Sequence, residues 1–484
     1  MIFIKNKYGI KFLPSQLGHK ISSKFLGVLI IPLILSIGIA PAFAFQLTDV
    51  DTECRKGLVL VFRITSNNFV CVSETTADKW VGYGIAELAE GFVTEEMSEE
   101  LSYVDGVRIK PTLTGGTQPL TTTPIIGTPY KNYPEMYIPG TEEIADNEMR
   151  ITMLGTGMPY STRAQAATSM LVELGGTDDF YFFDLGTGSL ANFNSMKLSI
   201  AKATHVFLTH LHADHIGDID MLFVEGIPWG RLVPLEIWGG SADAPELGAG
   251  YYLEHIEKAL TWDLESRTGK VPTSGAAINV HEFDYSKTQV IYEKDGFTVT
   301  AFPALHALGG AVSYRIDWNG ISVVFSGDTK PNKFLVENSE NVDILFHETF
   351  WPAEVYSEKL GWPLATAKAV VHGVHTPPQS AGVIFDMTQP KLAAMFHTWV
   401  MEDTVTITFD TMRTTYDGPA VLTQDFTVFN ITPDSIVVRQ ADVEDLVLPI
   451  VPDEFRDAEL EEANYLLPQW LKDAEIKVEG VTTE

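Results

Sequence analysis

"THLHADHIGD", residues 209–218, gathers His210, His212, Asp214, His215 and Asp218 directly behind the apolar run Val206-Phe207-Leu208. An apolar run of that kind reads as a strand, so the polar residues sit where it ends. His210 and His212, two apart in an extended segment, point to the same side. Asp214 and His215 follow at the turn into the next helix. One short loop therefore presents four donors of the types zinc accepts. A catalytic zinc takes three protein ligands and keeps a position open, so four donors overfill one open site. The loop calls for two metal ions sharing it.

A two-metal site needs further ligands, and the sequence supplies them in order. "TAFPALHA" gives His306, "VVFSGDT" gives Asp328 and "LAAMFHTW" gives His397. Each follows an apolar run and precedes small or polar residues. The same theme, a strand ending in a polar loop, recurs in "MRITMLGTGMPY", "TSMLVELGG" and "FYFFDLGTG". A β-sandwich with outer helices would collect such loops on one edge. Asp184 in "FFDLGTG" reads as a carboxylate that orients a ligand histidine from behind. His205, His255, His281 and His347 read as structural or surface residues.

HxHxDH, then His, then "SGDT", then His resembles the metallo-β-lactamase superfamily over residues 149–439. The resemblance implies an α/β fold, an αββα sandwich with the metals at one edge of its two sheets. It implies that His210, His212 and His306 hold one zinc, that Asp214, His215 and His397 hold the other, and that Asp328 bridges them. Manganese or iron are the alternative metals. Within the superfamily the chain looks most like the branch of ribonuclease Z and the secreted alkyl- and arylsulfatases. "MLGTGMPYSTRAQAATSMLVE" is similar to the opening of that branch, and "ILFHETF" to its His-Glu-Ala-Thr signature, with Thr349 in the alanine position. "VHTPPQSAG" resembles the histidine segment that follows. By this resemblance Glu348 and His375 pair to protonate the leaving group, and Asp214 counts among the catalytic residues as well as the ligands. Bracing of a loop by Glu348, capping of a helix by His375, and His372 in its place are the competing readings.

The resemblance also narrows the substrate. The common β-lactamases place a cysteine in the second zinc site; here Asp328 is present and Cys54 and Cys71, the only two cysteines, lie far from the histidines. Transfer RNA processing is usually assisted by a Gly- and Lys-rich arm between the third metal histidine and the bridging aspartate. Only "ALGGAVSYRIDWNGISVVFSG" stands there. The net charge of −31, with 64 acids against 33 basic residues, argues further against nucleic acid, whose binding draws on Lys and Arg. The expected activity is hydrolysis of small sulfate esters or phosphodiesters. The alternatives are 3′-tRNA processing, hydrolysis of lactones or acyl esters, and a non-catalytic zinc-binding surface protein. Trp229, Trp351, Trp362 and Trp399 lie in loops close to site residues and are candidates for an aromatic-binding pocket, with core or surface packing as the other reading. The insert 229–285 is a candidate lid or homodimer contact.

Around this domain, placed at 148–441, the chain adds several segments. Lys5, Lys7, Lys11, Lys20 and Lys24, the apolar run "FLGVLIIPLILSIGIA" and Ala42-Phe43-Ala44 have the layout of a secretory signal peptide. Residues 1–44 are expected to be removed near Ala44, giving a secreted or cell-surface protein; an uncleaved membrane anchor is the other reading. Residues 45–105 read as a small αβ module, two strands around Asn67-Asn68 and then a helix from Thr76 to Gly91. Export lets Cys54 and Cys71 close into a disulfide. Residues 106–147, rich in Pro, Thr and Gly, read as a linker or an arm lying on a neighbour. Residues 442–484 form an acidic tail with an amphipathic helix expected near Leu460 to Leu471.

Overall fold

The computed structural model describes residues 58–63, 68–82, 86–88, 113–114 and 124–476. The signal-peptide reading of residues 1–44 and the pairing of Cys54 with Cys71 lie outside them. Among the described residues no helix is long and apolar enough to cross a membrane. The chain divides into two compact units, Met1–Val107 and Arg108–Glu484.

In the first unit, Asn68–Val72 and Ala86–Leu88 flank Val59–Arg63 in an antiparallel three-stranded sheet. The helix Glu74–Gly82 starts behind Ser73, whose hydroxyl oxygen accepts the Thr76 N–H at 3.3 Å. Val61 and Ala77 are buried together against Val59 and Val72. The helix therefore stops nine residues short of the expected Gly91, because Ala86–Leu88 pairs with Val61–Arg63 instead. Sheet pairing with an apolar strand overrides a weak helical preference.

The second unit is an αββα sandwich. One sheet of ten strands runs Ile278–Phe283, Leu235–Gly240, His205–Leu208, Phe180–Phe183, Ser169–Leu174, Met149–Gly155, Thr427–Thr432, Ser435–Ala441, Ile125–Gly127, with Met136–Tyr137 also on Ser435–Ala441. The other, of eight strands, runs Gln289–Lys294, Phe297–Pro303, Val312–Trp318, Ile321–Phe325, Ile344–Glu348, Leu392–Phe396, Ala420–Leu422, Leu113–Thr114. Their facing sides share one apolar core, with Phe183, Phe207 and Phe429 from the first sheet against Tyr314, Phe325 and Phe396 from the second. The helices Ser189–Ser195, Ile219–Gly226 and Ala249–Ala259 cover the outer face of the ten-stranded sheet through Phe193, Phe223 and Leu253. Lys333–Ser339, Pro378–Thr388 and Glu402–Met412 cover the other through Leu335, Phe385 and Phe409. Central strands are buried on both faces and so read as unbroken apolar runs; Phe297–Pro303, with one less covered face, alternates.

Strand direction positions the site. Phe180–Phe183, His205–Leu208 and Leu235–Gly240 run parallel in the first sheet. Ile321–Phe325, Ile344–Glu348 and Leu392–Phe396 run parallel in the second. Asp184, His210, Asp328, Glu348 and His397 stand at or just beyond the carboxyl ends of these strands, the edge at which parallel sheets leave room for ligands.

One open expectation narrows here and one changes. Residues 106–147 contribute three short strands to the second unit's sheets: Leu113–Thr114 pairs with Val421–Leu422, and Ile125–Gly127 and Met136–Tyr137 pair with Ser435–Ala441. Among the described residues, the stretch follows the reading of an arm lying on a neighbour. In the tail, the expected helix shrinks to Gln469–Lys472, because the residue before Pro468 is barred from helical geometry and the proline can only open a helix.

Candidate metal centre

Asp184 organises the first loop from beneath. Buried and in the left-handed region at φ 59°, it accepts the Thr209 N–H on Oδ1 and the Thr209 hydroxyl on Oδ2, both at 2.7 Å. Its Oδ2 also takes the Nδ1–H of His215 at 2.7 Å. The Thr209 hydroxyl, having spent its hydrogen on Asp184, accepts from His210 Nδ1 at 3.1 Å. His306 Nδ1 donates to the Val374 carbonyl at 2.8 Å. Three histidines thus have their outer ring nitrogens occupied, and their Nε2 lone pairs face inward.

Those nitrogens meet in two groups. His210 Nε2 and His306 Nε2 lie 2.9 and 3.2 Å from His212 Nδ1, and each lies 3.8 Å from Asp328 Oδ2. His215 Nε2 and His397 Nε2 lie 3.4 Å apart, both 3.3 Å from Asp328 Oδ1. They are 3.5 and 3.1 Å from Asp214 Oδ2. The two oxygens of Asp328 are divided between the groups. His210 with His212, His306 and Asp328, and Asp214 with His215, Asp328 and His397, each form a cluster able to hold a metal ion.

The donor set fits a cation. Asp328 Oδ1 is buried without a hydrogen-bond partner, and lone pairs that face one another leave each group short of positive charge. Burial works against charge on His215, but Asp328, Asp214 and Asp184 hold its imidazole well above the ordinary histidine range. Burial likewise opposes charge on Asp214 and Asp328; His215 and His397 overcome it and hold both carboxyls well below the usual carboxylate range. Burial, with few carboxylates at hand, pushes His210 down and takes His306 to about 4, so both are neutral and ready to ligate at pH 7. His397 too is left-handed, at φ 59°, a strain of about 1–3 kcal/mol. It is locked between the Thr349 N–H on the Phe396 carbonyl and the Thr398 N–H on that of Thr156, at 2.8 and 3.0 Å.

Beside the clusters, His375 Nδ1 lies 3.1 Å from Glu348 Oε1 and 3.7 Å from Asp328 Oδ2. The Thr329 N–H donates to the same Glu348 oxygen at 2.8 Å. Phe350 stacks on the His375 ring with centroids 3.9 Å apart. Burial, then the Asp328 charge, pushes the Glu348 carboxyl well up, and burial pushes His375 down. Both shifts favour a neutral pair. His372, the rival, is exposed at the end of Leu364–Val371.

A model of the β-lactamase superfamily domain matches residues 181–398. Ribonuclease Z of Mycobacterium avium is 30% identical over 205 residues, 41% of this chain and 69% of that protein. The chain belongs to the metallo-β-lactamase superfamily. Ribonuclease Z of Mycobacterium marinum is 29% identical over 41% of this chain and 70% of its own length. Among solved structures, the Bacillus subtilis metallo-β-lactamase fold protein YhfI is similar at 19% identity and a TM-score of 0.43, covering 59% of this chain and 100% of its own. As a metallo-β-lactamase superfamily member the protein is a metal-dependent hydrolase.

A cavity of about 610 Å³ opens beside His210, His212 and His306. In this metallo-β-lactamase superfamily chain its wall comes from the insert, through residues 246–259, and from the loop 307–311. None of the four tryptophans lines it. Trp351 is core, its Nε1–H on the Trp399 carbonyl at 3.1 Å; Trp362 packs on Tyr356; Trp229 borders a separate small depression with Val447 and Leu448. Sequence reasoning also missed Thr209, Thr329 and Phe350. The adjacency of Thr209 to His210 and of Thr329 to Asp328 was the available signal. It missed Asp425 as well, which accepts the N–H groups of Thr156 and Ala166 and so ties the "LGTGMPY" loop beneath the site.

Proposed function

We propose that this protein is an exported, binuclear zinc-dependent hydrolase of small esters, of the sulfate or phosphodiester class. The observation that carries the binuclear reading is Asp328, whose two oxygens face two different donor groups. His210, His212 and His306 would hold one ion, Asp214, His215 and His397 the other, and Asp328 both. Such a metal pair acidifies a water to about pH 7 and stabilises the attacking and departing oxygens. The chain's own residues supply the rest. Asp184 keeps His215 aimed, and Glu348 orients His375, which gives a proton to the leaving oxygen. Asp214 completes the second ligand group and accounts for its place among the catalytic residues.

Small substrates are supported over RNA by the short interval between His306 and Asp328, more than half of which is spent on the strands Val312–Trp318 and Ile321–Phe325. No arm fits there. The acidic composition points the same way. The similarity to ribonuclease Z keeps 3′-tRNA processing as the second reading. The zinc-loaded protein, offered p-nitrophenyl sulfate, bis-p-nitrophenyl phosphate, acyl esters, lactones and a tRNA precursor, should turn over the first or second well above the others. Cleavage of the precursor at far higher kcat/KM would reverse the order of the two readings. Export is tested by sequencing the mature N-terminus after secretion: a start near Phe45 supports it, and an intact Met1 rejects cleavage.

A further inference from the structure

The two flanks of the metal centre differ. The 610 Å³ cavity touches His210, His212 and His306 but not Asp214, His215, His397, Glu348 or His375. The proton donor therefore stands outside this cavity, its ring 5.0 Å from that of His306 and its Nδ1 3.7 Å from Asp328 Oδ2. Within the cavity's wall no lysine or arginine appears, and Glu246 is its one carboxylate. What the wall offers is apolar and aromatic: Leu247, Tyr251 and Ile256 from the insert, with Leu308 from the loop after His306. The Tyr251 ring stacks on His255 with centroids 3.9 Å apart, and His255 Nδ1 donates to the Tyr251 carbonyl at 2.7 Å, which holds the pair as a platform. Leu247 and Tyr251 remain 46% exposed and Leu308 67%. Exposed apolar side chains gathered at a cavity beside a reactive centre mark a binding surface.

We propose that this cavity is a subsite for an uncharged apolar or aromatic arm on the retained side of the ester, an inference that rests on the ester-hydrolase reading above. In hydrolysis a water oxygen bonds to phosphorus, the P–O bond to the leaving group breaks, and the leaving oxygen takes up a proton. The leaving group must depart where His375 stands. The group held by Tyr251 and Leu308 is then the one that stays on phosphorus. A substrate with two organic arms can fill the cavity and the place beside His375 together, and an aryl sulfate, with one arm, cannot. The subsite thus selects diesters whose retained arm is apolar, and gives a polyanion no cation to pair with.

The test compares bis-p-nitrophenyl phosphate, methyl p-nitrophenyl phosphate and p-nitrophenyl sulfate on the zinc-loaded full chain and on Tyr251→Ala and Leu308→Ser. The three share a leaving group and differ in the retained arm. The wild type should favour the aryl over the methyl diester by about tenfold or more in kcat/KM, through KM, and either substitution should erase most of that preference. Calorimetry with diphenyl and dimethyl phosphate supplies a readout that needs no turnover, and the same preference and the same loss should appear in Kd. Equal treatment of aryl and methyl arms, an unchanged preference in both variants, or the sulfate hydrolysed as well as the aryl diester would overturn the subsite. Selective binding of diphenyl phosphate without turnover of any ester would keep the subsite and overturn the hydrolase reading instead.

Discussion

His375 owes its position to three neighbours: Glu348 on Nδ1, Phe350 on its ring face and Asp328 beyond. None of these makes it part of either complete ligand group. If it protonates the leaving oxygen, His375→Ala should cost about 10²- to 10⁴-fold on an alkyl ester and much less on a p-nitrophenyl ester, which departs unaided. Zinc content should stay unchanged. Equal losses on both leaving groups with zinc retained would reject the acid role, and loss of zinc would make His375 a ligand. The ligand histidines carry a second prediction, on pH. Burial disfavours the charged form of His306 and pushes its imidazole down to about 4. Its folded value lies below the unfolded one of about 6.5, so its contribution to stability is present above pH 6.5 and is lost as pH falls toward 4. Metal competes with the proton in the same window, so zinc should remain bound down to about pH 5. Release already complete at about pH 6.5 in a dye-coupled titration would contradict the assignment of His306.

At the scale of elements, the site depends on close backbone contact between loops. Gly186 shows it best: a Cβ there would lie 2.0 Å from the Asp214 carbonyl oxygen and 2.8 Å from Ala167. Gly186→Ala should therefore cost about 3 kcal/mol by overpacking, read as a lowered Tm, together with weaker metal binding at Asp214 and His215. An unchanged Tm would show that the loops yield. How much of this was legible varies with the physics. The strands ending at Asp184, His210, Asp328 and His397 announce themselves as apolar runs closed by polar residues, and the ligand types name their own chemistry. The orienting role of Asp184 followed from its place behind such a strand. Three-residue strands such as Ile125–Gly127 carry no periodicity, so a Pro- and Thr-rich stretch hides them. The tail's apolar spacing pointed to a helix while Pro468 forbade most of it. Of the two readings of the four tryptophans, packing holds because a large aromatic ring follows the core, and Trp351 and Trp399 pack on each other. The cavity wall could not be read at all, since the helix Ala249–Ala259 and the loop 307–311 meet only in the folded chain.

For the molecule as a whole, the two sheets bring Asp184 and His210 from one and Asp328, Glu348 and His397 from the other to a common edge. The two groups that share Asp328 each draw on the 210–215 loop of the first sheet and on residues of the second, while Glu348, His375 and His397 form a third group at the edge of the second sheet alone. Catalysis and the integrity of the sandwich are thereby coupled, and bound metal should stabilise the fold by mass action. The most direct test is the metal content of the purified, active full chain alongside Asp328→Ala. Elemental analysis should find about two zinc ions per chain in the wild type and loss at both positions in the variant, with activity falling in step. One ion or fewer in fully active protein, or an Asp328→Ala variant that keeps both, would contradict a centre bridged by Asp328.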